Sequence, residues 1–248
     1  MRLNDRKKVL HAIFQKKAFF NLSAGSTYAD FFTSYFHACL KADLADHGDV
    51  TTVLLRESLP SEIEARFVAK SGGVFSGEEE VAHVAKTMGL NVRKVLRAGK
   101  RFKKGDVLFR LEGDACKILE VERTLLNLLQ RMCGIATAAS QFKTIHASIA
   151  VTRKTPLSFI DKRAAMDGGA LAHRINLSDA ILIKDTHLDQ FGRDFKIVEK
   201  RLTDGRKTDL FSRISFVEVE VENAKEALCV AAMSVRLDLP VPFVIMLD

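Results

Sequence analysis

Phe216-Val217-Glu218-Val219-Glu220-Val221-Glu222 alternates apolar and acidic residues with a period of two. On a β-strand that period puts the valines on one face and the glutamates on the other. Three more short apolar stretches lie in the same half of the chain: Ile149-Ala150-Val151, Ile181-Leu182-Ile183 and Phe243 to Leu247. Short strands separated by helical stretches predict a parallel sheet or an α/β barrel.

Each of these strands runs into charge: Arg153-Lys154, Lys184-Asp185, the three glutamates, and Asp248. The carboxyl ends of strands build the active site of an α/β barrel. Two basic and two acidic ends on one rim suit an anion held by cations, with carboxylates for a metal or a sugar. Three unpaired carboxylates on a buried face would be costly, so the glutamates are expected on an edge strand or against cations. Gly168-Gly169 precedes His173-Arg174. The glycines permit backbone shapes that other residues resist, and Arg174 has the fork that fits a carboxylate or phosphate. His173 reads as a core histidine or a partner for a carboxylate.

The first half mixes helices and strands. A helix is expected over 28–44, a turn at His47-Gly48-Asp49, a strand over 62–70, and a helix over 77–88 closed by Gly89. Lys103-Lys104-Gly105-Asp106 reads as a tight turn into a strand over 107–111. Residues 116–139 form the strongest helical pattern, with Val121, Leu125, Leu128, Leu129, Met132 and Ala136 on one face and Arg123, Asn127 and Gln130 on another. The composition shifts near 145–150, giving an N-terminal α/β domain over 1–145 and a partial barrel over 146–248. Residues 1–20 read as a basic amphipathic surface helix rather than a secretory signal.

The chain has 248 residues, 47% hydrophobic and 28% charged, enough for a large core. No apolar run is long enough for a membrane span. Four scattered cysteines without a CxxC pair argue against zinc and fit a reducing cytoplasm. The net charge of +7 favours anionic partners. The basic residues are dispersed, which suits a small phosphorylated metabolite better than nucleic acid.

Thr152-Arg153-Lys154-Thr155, Gly168-Gly169 with His173-Arg174, Leu182-Ile183-Lys184-Asp185-Thr186-His187, Glu218 to Glu222 and Met246-Leu247-Asp248 resemble the quinolinate phosphoribosyltransferase family in order and spacing. Upstream, Gly48-Asp49-Val50-Thr51-Thr52 and the helix carrying Glu122-Arg123 to Asn127 and Gly134-Ile135-Ala136-Thr137 are similar to that family's early motifs. The resemblance covers roughly residues 35–248.

It implies an N-terminal α/β domain followed by an open α/β barrel, in a homodimer or multiple of dimers. The reaction implied is phosphoribosyl transfer to quinolinate with decarboxylation, in the cytoplasm, for NAD biosynthesis. Arg123 matches the arginine donated across the dimer interface. Arg153, His173 and Arg174 match residues around the quinolinate carboxylates. Lys154 and Lys184 match lysines that contact quinolinate and phosphoribosyl pyrophosphate. Glu220 and Asp248 match acids near the ribose hydroxyls and Mg²⁺.

Three departures stand out. The segment Pro156 to Arg163 reads as a loop two residues shorter than the family's threonine-proline-glycine-leucine-arginine loop. Thr186 replaces the usual asparagine. The family continues past the equivalent of Asp248 through further strands and a Ser-Gly-Gly loop for the donor's 5′-phosphate, so the barrel is expected to be incomplete here. A longer protein, a partner supplying the remainder, or a degenerate anion-binding relative would each account for that. A molybdenum-transport-associated paralogue is a further reading, disfavoured by the intact Lys184-Asp185.

Overall fold

The computed structural model describes Leu10, residues 13–146 and residues 148–248. They form two compact units, Gln15–His173 and a second made of Leu10, Ile13 and Phe14 with Arg174–Asp248. The helix expected over residues 1–20 falls largely outside the described residues; Ile13 and Phe14 are buried.

In the larger unit, α1 (Thr27–Leu44) begins where the Ser26 hydroxyl accepts the Ala29 N–H at 3.1 Å. It buries Tyr28, Phe32, Phe36 and Leu40, four residues apart. A short helix, α2 (Val50–Leu55), is capped by the Asp49 carboxylate, which accepts the Thr51 and Thr52 N–H groups. Its Val50, Val53, Leu54 and Leu55 are exposed. Next come β1 (Glu62–Val68), β2 (Gly73–Val74), α3 (Glu78–Met88), β3 (Asn91–Val95), β4 (Arg101–Phe102), β5 (Val107–Asp114) and α4 (Ala115–Ile145). Gly89 ends α3 with φ 68°, as expected. The antiparallel sheet has the order β1-β5-β3. The expected turn is closed by the Asp106 N–H on the Lys103 carbonyl at 3.1 Å and the Lys103 N–H on Asp106 Oδ2 at 2.7 Å. The apolar face read from α4 is buried throughout, and Arg123, Asn127 and Gln130 are exposed.

Two expectations are corrected here. The Pro156 to Arg163 loop is mostly helix: α5 spans Ser158–Asp167. Pro156 disfavours the helical conformation at Thr155 before it, and Ile160 to Met166 are buried on every side of the helix. The expected strand at 149–151 is only an isolated parallel bridge, Ala150↔Leu171. It is held by the Val151 N–H on the Leu171 carbonyl at 2.9 Å and the Leu171 N–H on the Ile149 carbonyl at 2.7 Å. The ladder stops because the next amides turn inward locally: Lys154 N–H donates to Thr152 Oγ1 and Thr155 N–H to the Arg153 carbonyl.

The glycine pair ends α5 against α4. A Cβ on Gly168 would lie 2.2 Å from the Ala136 carbonyl oxygen, and Gly169 has φ 95°. Gly168→Ala is therefore expected to destabilise the protein by at least about 1–3 kcal/mol, the usual cost of overpacking. Urea unfolding reads this as a lower midpoint; a wild-type midpoint would refute the close approach.

In the second unit, β6 (Ile181–Ile183), α6 (Asp185–Asp189), α7 (Phe195–Gly205), α8 (Leu210–Arg213), β7 (Val217–Val221), α9 (Ala224–Leu237) and β8 (Phe243–Leu247) follow in turn. The strands form a parallel sheet, β6-β7-β8. Val217, Val219 and Val221 pack into a core with Leu188, Val198, Leu202, Phe211, Val230 and Met233. The chain is thus mixed α/β, with an N-terminal sheet and C-terminal parallel strands alternating with helices. Among the described residues, no helix is long and apolar enough to cross a membrane.

Candidate active site

β7 is the central strand, so the glutamates are not on an edge. Residues in register across a parallel sheet share a face. Leu182, Glu218 and Val244 are in register, as are Glu220 and Met246. All five lie on the face opposite the valine core. Two residues beyond Leu182 and Met246, Lys184 and Asp248 continue that face at the carboxyl end. Lys184 is extended (φ −99°, ψ 168°), and the Asp248 N–H donates to the Val221 carbonyl at 3.2 Å, prolonging the ladder. The fold therefore brings Lys184, Glu220 and Asp248 to one face and one end of one sheet. Glu218 is buried and Glu220 half-buried, and each has an interaction partner, as the cost of burying a carboxylate requires. Glu222, past the strand, pairs with Arg193 at 3.1 Å.

Arg174 is buried. The segment that follows it is pinned by Asp179, whose carboxylate accepts the Ile175 N–H at 2.9 Å and the Ser215 hydroxyl at 2.7 Å.

In the unit 15–173, Arg153 and His173 follow the two partners of the Ala150↔Leu171 bridge closely, so Arg153, Lys154 and His173 leave the same end of one parallel pair. His173 has φ 55°, in the left-handed region that non-glycine residues seldom occupy. Arg153 and Lys184 are half-buried cations with no ion-pair partner among the described residues. Arg123 and Lys154 are exposed and likewise unpaired among them. By contrast Arg131, Arg163, Arg193 and Arg236 all sit on carboxylates. Partly burying a cation without a counter-charge costs free energy, and an arriving anion would recover it.

Sequence reading missed Asp161-Lys162-Arg163, three consecutive charged residues buried on α5. Asp161 takes both nitrogens of the Arg131 fork at 2.7 Å and accepts the Thr155 hydroxyl. This ties the turn after Lys154 to α4. Lys162 donates to the Val151 carbonyl at 2.9 Å and to the Ala172 carbonyl. Arg163 lies 3.7 Å from Glu80 and 3.6 Å from Asp167. Glu80 also accepts the Tyr28 hydroxyl at 2.7 Å, and Asp167 accepts the Ser76 hydroxyl at 2.7 Å. The helix is buried on every side from Ile160 to Met166, so no apolar stripe marks it, and a loop reading sets such charges in water.

Burial pushes the Glu80 and Asp167 carboxyls up, with Arg163 opposing. Each binds its proton more tightly folded than unfolded. Their contribution is therefore most favourable at low pH and declines as pH rises from the ordinary carboxylate range toward their folded values. Half-buried carboxyls such as Glu199 and Glu226 are pulled down by Arg236 and Arg193 and act in the opposite sense. The difference between wild type and Glu80→Gln isolates the buried group. The variant is expected to gain on wild type as pH rises, by at most about 1.4 kcal/mol per pH unit. A difference that stays constant with pH would contradict this.

A cavity of about 570 Å³ lies between the antiparallel sheet and α4, lined by Phe67, Phe109, Leu129, Cys133 and Thr137 among others. It contains none of the charged strand ends and is largely apolar.

Residues 49–133 match the model of the quinolinate phosphoribosyl transferase N-terminal domain, and residues 135–248 match that of its C-terminal domain. A probable nicotinate-nucleotide pyrophosphorylase [carboxylating] of Methanothermobacter thermautotrophicus is 35% identical over 194 residues, covering 74% of this chain and 67% of the relative. One from Bacillus subtilis is 34% identical over 185 residues, covering 71% of this chain and 62% of the relative. The solved nicotinate-nucleotide pyrophosphorylase of Francisella tularensis superposes with a TM-score of 0.71 at 26% identity, over 88% of this chain and 74% of that one. The chain thus spans about two thirds of the length of these curated relatives. With both halves matched in order, this chain belongs to the quinolinate phosphoribosyl transferase family.

Proposed function

We propose that the protein transfers the phosphoribosyl group of phosphoribosyl pyrophosphate to quinolinate, giving nicotinate mononucleotide, CO₂ and pyrophosphate. The observation that carries this is the grouping of Lys184, Glu220 and Asp248 on one face and one end of the parallel sheet. Arg153, His173 and Arg174 hold the two carboxylates of quinolinate, and Lys154 and Lys184 contact quinolinate and the donor. The ring nitrogen forms its bond to the ribose C1′ as the bond to pyrophosphate breaks. Glu220 and Asp248 stabilise the positive charge that develops on the ribose. The 2-carboxylate then leaves as CO₂, its bonding electrons passing into the cationic ring, and a proton takes its place. The residues' work is positioning and electrostatics.

Mg²⁺ fits the donor set: it needs only one or two protein carboxylates, with waters and donor phosphates completing its shell. Glu220 and Asp248 would hold it, and it would neutralise the departing pyrophosphate. The proposal includes a homodimer, or multiple of dimers, with a shared site. The exposed Val50, Val53, Leu54 and Leu55 of α2 supply apolar surface for an interface, and the exposed Arg123 is available to a second subunit. The division at 145/146 keeps α4 whole in the first functional part. A cytoplasmic setting goes with this reading. Neither the matched family models nor the named relatives favour a molybdenum-transport-associated or non-catalytic protein.

Calorimetry with quinolinate and nicotinate tests the assignment. Quinolinate is expected to bind at least about tenfold tighter, because its second carboxylate finds a cation. Equal affinities would contradict a site built for two carboxylates.

A further inference from the structure

We propose that Lys162 is a positioning residue that fixes the two substrate-binding strand ends relative to each other. Its side chain is fully buried. Lysines normally extend their ammonium toward water, and burying one is costly. This one points inward from α5 and donates to the carbonyls of Val151 and Ala172. Those two carbonyls lie at the open end of the Ala150↔Leu171 bridge, where the backbone ladder has already stopped. One residue separates Val151 from Arg153, and His173 follows Ala172 directly. The ammonium therefore takes the place of the missing ladder. It holds together the ends from which Arg153, Lys154 and His173 depart, and a neutral apolar side chain of the same length could fill the space without doing so.

The neighbouring Asp161 holds Thr155 and Arg131, so α5 secures the far side of the same turn. A substrate carried by Arg153 and His173 requires those side chains at a set spacing, and small displacements of binding groups are expensive. Only the ligand arm of the test rests on the phosphoribosyl-transfer reading.

The test compares Lys162→Met with wild type and with Ile160→Val, a control that loosens the same helix without touching the carbonyls. Amide hydrogen exchange is followed in peptides covering 149–155 and 170–173, and quinolinate affinity is measured by calorimetry. Lys162→Met is expected to speed exchange at least tenfold in those two segments, with α1 and α4 unchanged. It is also expected to weaken quinolinate at least tenfold while changing affinity for phosphoribosyl pyrophosphate less than threefold. Ile160→Val should produce neither effect.

Unchanged exchange in Lys162→Met would overturn the proposal. So would unchanged quinolinate affinity, or equal losses in Ile160→Val. If the wild type binds no quinolinate, the functional reading falls, and the exchange arm still decides whether Lys162 fixes the strand ends. Should Lys162→Met not fold, Lys162→Gln, which keeps an N–H donor on a shorter arm, is carried through the same measurements. It is expected to show the same losses at smaller size.

Discussion

Lys184→Ala is expected to lower kcat by about 100-fold or more, the scale seen when one fixed electrostatic group is removed from a developing charge. Its stability should stay within about 0.5 kcal/mol of wild type, since Lys184 is half-buried and makes no ion pair among the described residues. The residue ends β6 on the same face as Glu220, so it is well placed to act on the donor without serving the core. The loss is expected to be partly reversible. Arg123 lies on the exposed face of α4 and is proposed to act in the partner's site. A mixed dimer of Arg123→Ala and Lys184→Ala subunits contains one site with both residues intact. Random exchange should therefore restore about a quarter of wild-type activity, by the symmetry of a two-site dimer. Exchanged subunits without any rescue would contradict a shared site.

Arg174→Ala is expected to weaken quinolinate by about 1.5–3 kcal/mol, as for loss of a charge-assisted hydrogen bond. Arg174 is buried and opens the segment pinned by Asp179, so its guanidinium is held rather than free to swing. A fixed fork loses little entropy on meeting a carboxylate. The effect should appear in the KM for quinolinate and not in that for the phosphoribosyl donor. An unchanged quinolinate affinity, in protein that folds normally, would remove Arg174 from the site.

The parallel sheet was readable because its signal is local. A period of two in Val217 to Val221 fixes which residues share a face, and that face follows from sequence spacing alone. The same arithmetic carried Lys184 and Asp248 to the end of the sheet. α4 was readable for the matching reason, with its apolar residues on a helical repeat. Asp161, Lys162 and Arg163 were not readable. Their charges imply solvent, whereas the fold pairs each with a group distant in sequence: Arg131, the Ala172 carbonyl and Glu80. The isolated bridge at Ala150 was also opaque, because an apolar triplet says nothing about how far its partner will pair. Gly168 lay between the two cases. Its glycine identity signalled a constraint, but the 2.2 Å approach to the Ala136 carbonyl that requires it is a tertiary fact.

The most direct test of the central claim is turnover. The purified 248-residue chain is incubated with quinolinate carrying a labelled 2-carboxylate, phosphoribosyl pyrophosphate and Mg²⁺. Nicotinate mononucleotide is followed by chromatography and the label by release as CO₂. Both products are expected in equal amounts, at a rate lowered about 100-fold or more by Lys184→Ala. Folded, quinolinate-binding protein that forms neither product would contradict it.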